Sequence, residues 1–198
     1  MTTSAAAALP TTLVAADGVP LHVWHWPRAG ARGTVLIVHG LGEHAGRYAQ
    51  VAAELNAAGF EVAAFDQRGH GRSGGPRGDM PTPTARLEDL ALAIDALRAA
   101  RPAGPLLLLG HSLGGLVAAR FVAGGVEAAR PAWAREADGL ILSSPALDAG
   151  LGSLQKLLLA VGERWFPHLA LGNGLRPAWI SRDPAVVAAY VADPLVHD

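Results

Sequence analysis

The chain has 198 residues, 51% of them hydrophobic, a formal net charge of −1 and no cysteine. This length fits one domain, and the near-neutral charge argues against a nucleic-acid partner, which would need a basic surface. The lack of cysteine excludes disulfides, thiolate catalysis and metal sites with cysteine ligands.

The beginning of the chain carries no pattern typical of export. Met1–Pro10 has no basic segment followed by a strongly apolar one, so no signal peptide is expected. No run of about 18 apolar residues occurs, so no transmembrane helix is expected. We expect a soluble, cytoplasmic protein.

The first predicted elements are the strands of a hairpin. Thr12–Ala16 and Leu21–Trp26 flank Asp17-Gly18, a pair typical of a tight hairpin turn. Four apolar runs that do not alternate with polar residues follow, which is typical of parallel strands buried on both faces. These runs are Val35–Val38, Val62–Phe65, Leu106–Leu109 and Leu140–Leu142.

Helical patterns separate the apolar runs. One pattern ends at Gly59, a residue suited to a helix C-cap. The apolar positions of the three predicted helices are Tyr48, Val51, Ala52 and Leu55, then Leu87, Leu90, Ala91, Ile94 and Leu97, then Leu116, Val117 and Phe121. The alternation predicts an α/β fold, with a mostly parallel sheet led by an antiparallel hairpin.

The character of the chain changes after Leu147. An apolar stripe at helical spacing covers Leu154–Trp165. Asp183 and Pro184 then suit the N-cap and first position of a helix, whose apolar side chains are Val186, Val187, Tyr190 and Val191. We interpret residues 1–147 as the α/β core and residues 148–198 as a helical cap.

The segment Gly110-His111-Ser112-Leu113-Gly114 is the strongest candidate site. It matches G-x-S-x-G, and it lies between a predicted strand and a predicted helix, the context that this motif needs to present a serine nucleophile. Gly110 and Gly114 would let strand and helix approach closely. The alternative is a glycine-rich turn with an incidental serine.

A second glycine pattern, Gly69–Gly74, matches the dinucleotide-binding spacing G-x-G-x-x-G. Such a fingerprint has to open a helix at once, whereas the prolines within Gly75–Pro83 prevent a helix here. We therefore reject a nucleotide site. We expect Asp66, Arg68 and Ser73 to hold this loop by local hydrogen bonds.

Six motifs in this order resemble the monoacylglycerol lipase and lysophospholipase branch of the α/β-hydrolases, which includes serine aminopeptidase S33-like proteins. The resemblance covers Leu13 to the last residue. The motifs are His39–His44, Phe65–Ser73, Gly110–Gly115, Ser143–Leu147, Ser181–Pro184 and Asp193–Leu195.

The resemblance implies an ester hydrolase in which Ser112 attacks the substrate and the backbone N–H groups of Leu41 and Leu113 hold the oxyanion. It implies lipid-like acyl esters as substrates, and no metal or cofactor. The residues that it implies as supports of these motifs are His39, Gly40, Gly42, Gly110, His111 and Gly114.

The resemblance also shows a departure. The triad acid and base of this branch follow the cap, and we expect them beyond Asp198, after two further βα units on a continuation or a second chain. His39, His44 and His111 are not expected to be the base. The histidines downstream of Ser112 are His168 and His197, both in the predicted cap, and Asp148 occupies a position where some α/β-hydrolases have their acid.

Other interpretations remain open at this stage. The chain could be a catalytically incomplete hydrolase that binds lipid or a partner chain, or a peptidase or thioesterase on the same scaffold. The Leu154–Trp165 stripe is either ordinary core or the lining of an acyl pocket whose rim contacts lipid peripherally, although it lacks the basic face expected at anionic membranes.

Overall fold

Six strands form one mostly parallel sheet in the computed structural model, which describes residues 8–78, 80–101, 103–148 and 176–197. The strand order is β1-β2-β4-β3-β5-β6. The strands are β1 (Thr12–Val14), β2 (Pro20–Trp26), β3 (Thr34–Val38), β4 (Glu61–Phe65), β5 (Leu106–His111) and β6 (Gly139–Ser143). The predicted α/β architecture is confirmed.

Helices cover both faces of this sheet. The described helices are α1 (Ala49–Ala57), α2 (Ala85–Ala100), α3 (Leu113–Gly125) and α4 (Pro184–Ala192), with short 3-10 turns at Ala45–Tyr48 and Pro177–Trp179. Helices α1, α2 and α3 cover the sheet, whereas α4 has no buried residue. Helices α2 and α3 pack on one face, where Leu90, Ile94 and Phe121 are fully buried. Helix α1 packs on the other face through Ala52. None of the described helices has the length and hydropathy required to span a bilayer.

The predicted hairpin is confirmed. Strands β1 and β2 pair antiparallel, and the Ala15 N–H donates to Val19 O across the turn at 2.9 Å. Gly18 has a φ of 85°, a conformation that costs glycine little and other residues more. Strand β2 continues the sheet by pairing with β4, also antiparallel.

The four apolar runs all form strands, but their predicted burial is only partly correct. Strands β3 and β4 are buried along their whole length. In β6, however, Ile141 is 43% exposed and Leu142 is 39% exposed. Among the described strands, β6 lies at the sheet edge and pairs with β5 alone, so within this part of the chain it has no second neighbour of the kind that encloses β3 and β4.

The described segments that were predicted to be helical do contain helices, but not every predicted apolar side chain is buried. All five predicted apolar positions of α2 are buried, whereas Leu116 on α3 is 38% exposed. Asp183 caps α4 by accepting a hydrogen bond from the Ala185 N–H at 2.9 Å, as predicted. Residues 154–165 and His168 lie outside the described residues, and the boundary near residue 148 stays a prediction.

The register of the parallel strands brings three loops to one edge. Val38 at the end of β3 pairs with Gly110 on β5, and His111 pairs with Ser143 on β6. Carboxyl ends of parallel strands share one edge of a sheet, which is where α/β proteins bind ligands. The segments that follow β3, β5 and β6 therefore meet there.

Close backbone packing at this edge generates a stability prediction. A β-carbon at Gly114 would overlap the carbonyl oxygens of Val38 and His39, while one at Gly125 on the same helix would meet nothing within 4 Å. We expect Gly114→Ala to lower the free energy of unfolding by about 3 kcal/mol through steric strain. Gly125→Ala should leave it unchanged or raise it by up to about 1 kcal/mol. Urea unfolding of both variants checks this, and equal effects would contradict the packing described.

Candidate active site

Ser112 lies at the sharp turn between β5 and α3. Its φ of 51° and ψ of −117° are rare for a residue with a side chain, and such a conformation costs about 1–3 kcal/mol. Two backbone hydrogen bonds tie it to the end of β6 and the segment that follows: the Ser112 N–H donates to Ser143 O at 3.0 Å, and the Ala146 N–H donates to Ser112 O at 3.0 Å. Strain retained at one residue by its surroundings is typical of functional sites.

The flanking glycines make this turn sterically feasible. A β-carbon at Gly110 would lie 2.5 Å from Gly114 O, and one at Gly115 would lie 2.8 Å from the Pro145 Cβ. These separations exclude any side chain without backbone movement. The predicted close approach of strand and helix is therefore present, and it leaves Ser112 as the residue with a side chain at the apex.

The loop His39–His44, which follows β3, lies against this turn. A β-carbon at Gly40 would be 3.3 Å from the Ser112 Cβ and 3.4 Å from the His111 Cδ2. Gly42 has a φ of 72°, so the chain reverses direction beside Leu41. The structure thus brings the two predicted oxyanion segments together. Leu113 is the first residue of α3, and the first N–H groups of a helix have no intrahelical acceptor.

Glu43 holds this loop through three hydrogen bonds, a role that the sequence reasoning did not assign. Its carboxylate accepts from the Gly40 N–H at 2.7 Å, the Tyr48 hydroxyl at 2.7 Å and the Arg47 guanidinium at 2.8 Å. Burial, together with the Glu43 carboxylate, raises the pKa of Tyr48, which keeps its hydroxyl a donor. The sequence does contain a signal for this role: Glu43 is an acidic residue in a tight glycine loop, and a buried carboxylate requires hydrogen-bond donors around it.

The histidines near Ser112 have other partners. His39 is fully buried; its Nδ1 lies 2.7 Å from Gly40 O, and its Nε2 accepts from the Gln67 N–H at 2.9 Å. Burial lowers the pKa of His39 well below its usual range. His44 Nε2 lies 2.8 Å from the Asp193 carboxylate, and His111 Nδ1 lies 3.1 Å from Ser143 O. These bonds are consistent with structural roles.

The described residues of the glycine-rich loop after β4 contain no helix N-terminus, and α2 begins at Ala85. Asp66 holds the loop locally, accepting from the Arg72 N–H at 2.8 Å, and it also accepts from the Ala45 N–H at 2.8 Å. The local role predicted for Arg68 is wrong. Its guanidinium instead bridges to Asp89 on α2 and Asp17 in the hairpin, each at 2.7 Å.

A cavity of about 330 Å³ opens beside the turn. Residues of the His39–His44 loop, the 3-10 turn before α1, α1 itself and the C-terminal parts of β5 and β6 surround it: Glu43, Arg47, Tyr48, Val51, Leu109, His111, Ile141 and Ser143. Its lining combines charged and apolar groups. In the described parts of the chain, no group of three or more His, Asp or Glu side chains could hold a metal ion.

Comparison with known proteins agrees with this geometry. A family model described as serine aminopeptidase, S33, matches residues 29–198. A monoacylglycerol lipase of Mycolicibacterium smegmatis is 40% identical over 178 residues, which make up 88% of this chain and 60% of the relative. The chain belongs to this family of α/β-hydrolases.

Solved structures give the same result. The crystal structure of Paleococcus ferrophilus monoacylglycerol lipase is 38% identical, with a TM-score of 0.70, over 90% of this chain and 64% of that one. A carboxyl esterase from Bacillus coagulans, in complex with glycerol, is 26% identical with a TM-score of 0.71, over 94% of this chain and 65% of that one. The chain spans about three fifths of the length of several curated relatives, among them the Mycolicibacterium smegmatis lipase and a monoglyceride lipase of Homo sapiens.

His70 generates a prediction on pH. It is fully buried, its Nδ1 lies 2.9 Å from Arg68 O, and burial lowers its pKa to about 4. Between pH 4 and pH 6.5 the unfolded chain binds a proton that folded His70 does not, so stability falls as the pH drops through this window. Between pH 6.5 and pH 5, the free energy of unfolding should fall by about 2 kcal/mol more in the wild type than in His70→Gln, because the variant has no imidazole at this position to titrate. Urea titrations at both pH values test this, and an unchanged difference between the two would contradict it.

Proposed function

We propose that this chain carries the nucleophile and the oxyanion hole of a serine hydrolase that cleaves lipid-like acyl esters, such as monoacylglycerols or lysophospholipid-like esters. The observation that carries the proposal is the conformation of Ser112, which has a positive φ at the start of α3 with the Gly40 backbone against its Cβ. Family membership supports it. The fold alone would not, because one fold hosts many functions.

In the proposed mechanism, the Ser112 Oγ attacks the carbonyl carbon of the ester while its proton passes to a general base. The N–H groups of Leu41 and Leu113 donate to the oxygen on which negative charge develops, and the positive end of α3 favours that charge. The intermediate collapses, and the alcohol leaves with the proton taken up by the base. Water then attacks the acyl-enzyme by the same route.

The bonds of the described histidines support a base other than His39, His44 or His111. His39 is bonded through both ring nitrogens, and a fully buried imidazole of lowered pKa binds a proton poorly. His44 is engaged by Asp193 and His111 by Ser143. We propose that a histidine outside this set takes the proton.

The substrate class rests on the relatives and on exposed apolar side chains. Two of the compared proteins are named monoacylglycerol lipases, and the esterase structure contains glycerol. Leu41 beside the site, Trp179, Val186 and Val191 are exposed, which supports contact with an acyl chain or a lipid surface. We propose that residues 148–198 act as the cap over the core of residues 1–147. The exposed strand β6 supports contact with a further segment or chain.

A peptidase is the second candidate, favoured by the description of the matching family model as a serine aminopeptidase. A thioesterase would use the same turn and loop. An incomplete hydrolase that binds lipid without turnover would keep the fold but show no acyl-enzyme. The labelling prediction below separates an incomplete hydrolase from an enzyme, and the substrate comparison separates a peptidase from an ester hydrolase.

Ser112 should be the nucleophile. We expect a fluorophosphonate probe to label the complete protein, with its triad base, at Ser112, and Ser112→Ala to abolish labelling, because the attacking hydroxyl is gone. Ser144→Ala, which alters an exposed serine after β6, is the matched control and should label normally. Stoichiometric labelling of Ser112→Ala at another serine, detected by peptide mass spectrometry, would reject the assignment.

Leu41 should act through its backbone. Leu41→Ala keeps the N–H and should reduce turnover only modestly. Leu41→Pro deletes the N–H and should lower kcat by about 100-fold or more, the effect of losing one oxyanion donor. Steady-state kinetics on an aryl ester measures both, with circular dichroism as the check on folding. Equal losses in the two variants would attribute the role of this loop to packing.

Esters of medium-to-long acyl chains should be the preferred substrates, because Leu41 and the predicted cap residues Trp179, Val186 and Val191 are exposed apolar side chains. The comparison is kcat/KM on a series of p-nitrophenyl esters and monoacylglycerols against amino-acid amides with a free α-amine. We expect values for the acyl esters at least tenfold above those for the amides. Faster turnover of the amides would favour the peptidase.

A further inference from the structure

The segment Tyr190–His197, far along the chain, lies against the His39–His44 loop. The His197 N–H donates to Gly42 O at 2.9 Å, and the Asp193 carboxylate lies 2.8 Å from His44 Nε2. The Arg47 guanidinium lies 4.5 Å from the centre of the Tyr190 ring. Three contacts spread over eight residues thus join the end of α4 and its following turn to this loop and to the 3-10 turn that follows it.

Asp193 is the centre of this junction. One of its carboxylate oxygens accepts from the Leu195 N–H at 2.9 Å, which orders the turn after α4, and the other contacts His44. His44 is buried, its side chain only 7% exposed. Burial favours protonation of Asp193, but the hydrogen bonds from His44 and Leu195 outweigh it and lower its pKa. A hydrogen bond to an ionised group contributes more than a neutral one.

The loop that these contacts hold has little support from its own backbone. Gly40 and Gly42 flank Leu41, and glycine restricts the chain least of all residues. Glu43 fixes one end of the loop by accepting from the Gly40 N–H at 2.7 Å. The other end is fixed by the bond from His197 to Gly42 and by the pairing of Asp193 with His44. Leu41 lies between these two anchors.

We propose that Asp193 is a positioning residue for the oxyanion hole: through His44, and with the His197 N–H on Gly42, it holds the loop in which Leu41 presents its backbone N–H beside Ser112. This rests on the proposed function. It adds that the predicted cap helps to assemble the hole, so a displacement of α4 displaces a catalytic donor. An oxyanion hole stabilises charge only if its donors are held in place before the reaction.

The test combines amide hydrogen exchange with reaction at Ser112, using the complete protein with the segment or chain that supplies the triad base. Asp193→Ala removes the contact with His44 and should raise the exchange rates of the Gly40 and His197 amides at least tenfold, without change at the amides of β4. It should also slow fluorophosphonate labelling of Ser112 about tenfold. The matched control is Asp95→Ala, which removes an equal charge on α2 from an exposed ion pair with Arg135 and should change neither quantity.

Asp193→Asn provides the conservative comparison. Its amide oxygen can accept from the Leu195 N–H while its NH₂ group donates to an unprotonated His44 Nε2, so it should restore exchange and labelling to within about threefold of wild type. Unchanged exchange at Gly40 and His197 in Asp193→Ala, or an equal rise across the sheet, would overturn the proposal, as would normal labelling despite local exchange. If wild-type Ser112 fails to react at all, the proposed function fails, while the exchange data still decide whether Asp193 holds the loop.

Discussion

The close approach of three backbones at the carboxyl edge of the sheet is the constraint on which this structure depends. Gly114, in the first turn of α3, contacts the carbonyl oxygens of Val38 and His39, and Gly110 contacts the carbonyl of Gly114. No β-carbon fits at either glycine, so strand, turn and helix have a single arrangement. It places Ser112 at positive φ and brings the loop after β3 against it. The backbone strain at Ser112 is offset by the packing of the strand and the helix on its two sides.

The same packing determines the electrostatics of the site. The His39–His44 loop contains a carboxylate, Glu43, close to where negative charge would develop on a substrate. Its charge is compensated by Arg47 at 2.8 Å and by the donors of Gly40 and Tyr48. The buried imidazoles of His39 and His70 have lowered pKa values and are neutral near pH 7. The backbone N–H groups at the edge are thus the donors suited to an anion.

Much of this could be predicted from local sequence signals. The apolar runs gave the strands, Asp17-Gly18 gave the hairpin, and the G-x-S-x-G context gave the turn at Ser112, since each signal acts over a few residues. The long-range contacts could not be read in the same way. Arg68 pairs with Asp89 and Asp17, and His44 pairs with Asp193, 149 residues away. Such pairs depend on the tertiary packing of elements, which spacing along the chain does not encode. The exposure of β6 likewise depends on its position at the sheet edge.

A crystal structure of the protein after reaction with a phosphonate ester tests the central claim most directly, because the tetrahedral phosphorus mimics the intermediate of acyl transfer. We expect a covalent bond from phosphorus to the Ser112 Oγ and a phosphonyl oxygen about 2.7–3.1 Å from the backbone nitrogens of Leu41 and Leu113. An adduct at another residue, or a phosphonyl oxygen directed away from both nitrogens, would contradict the account.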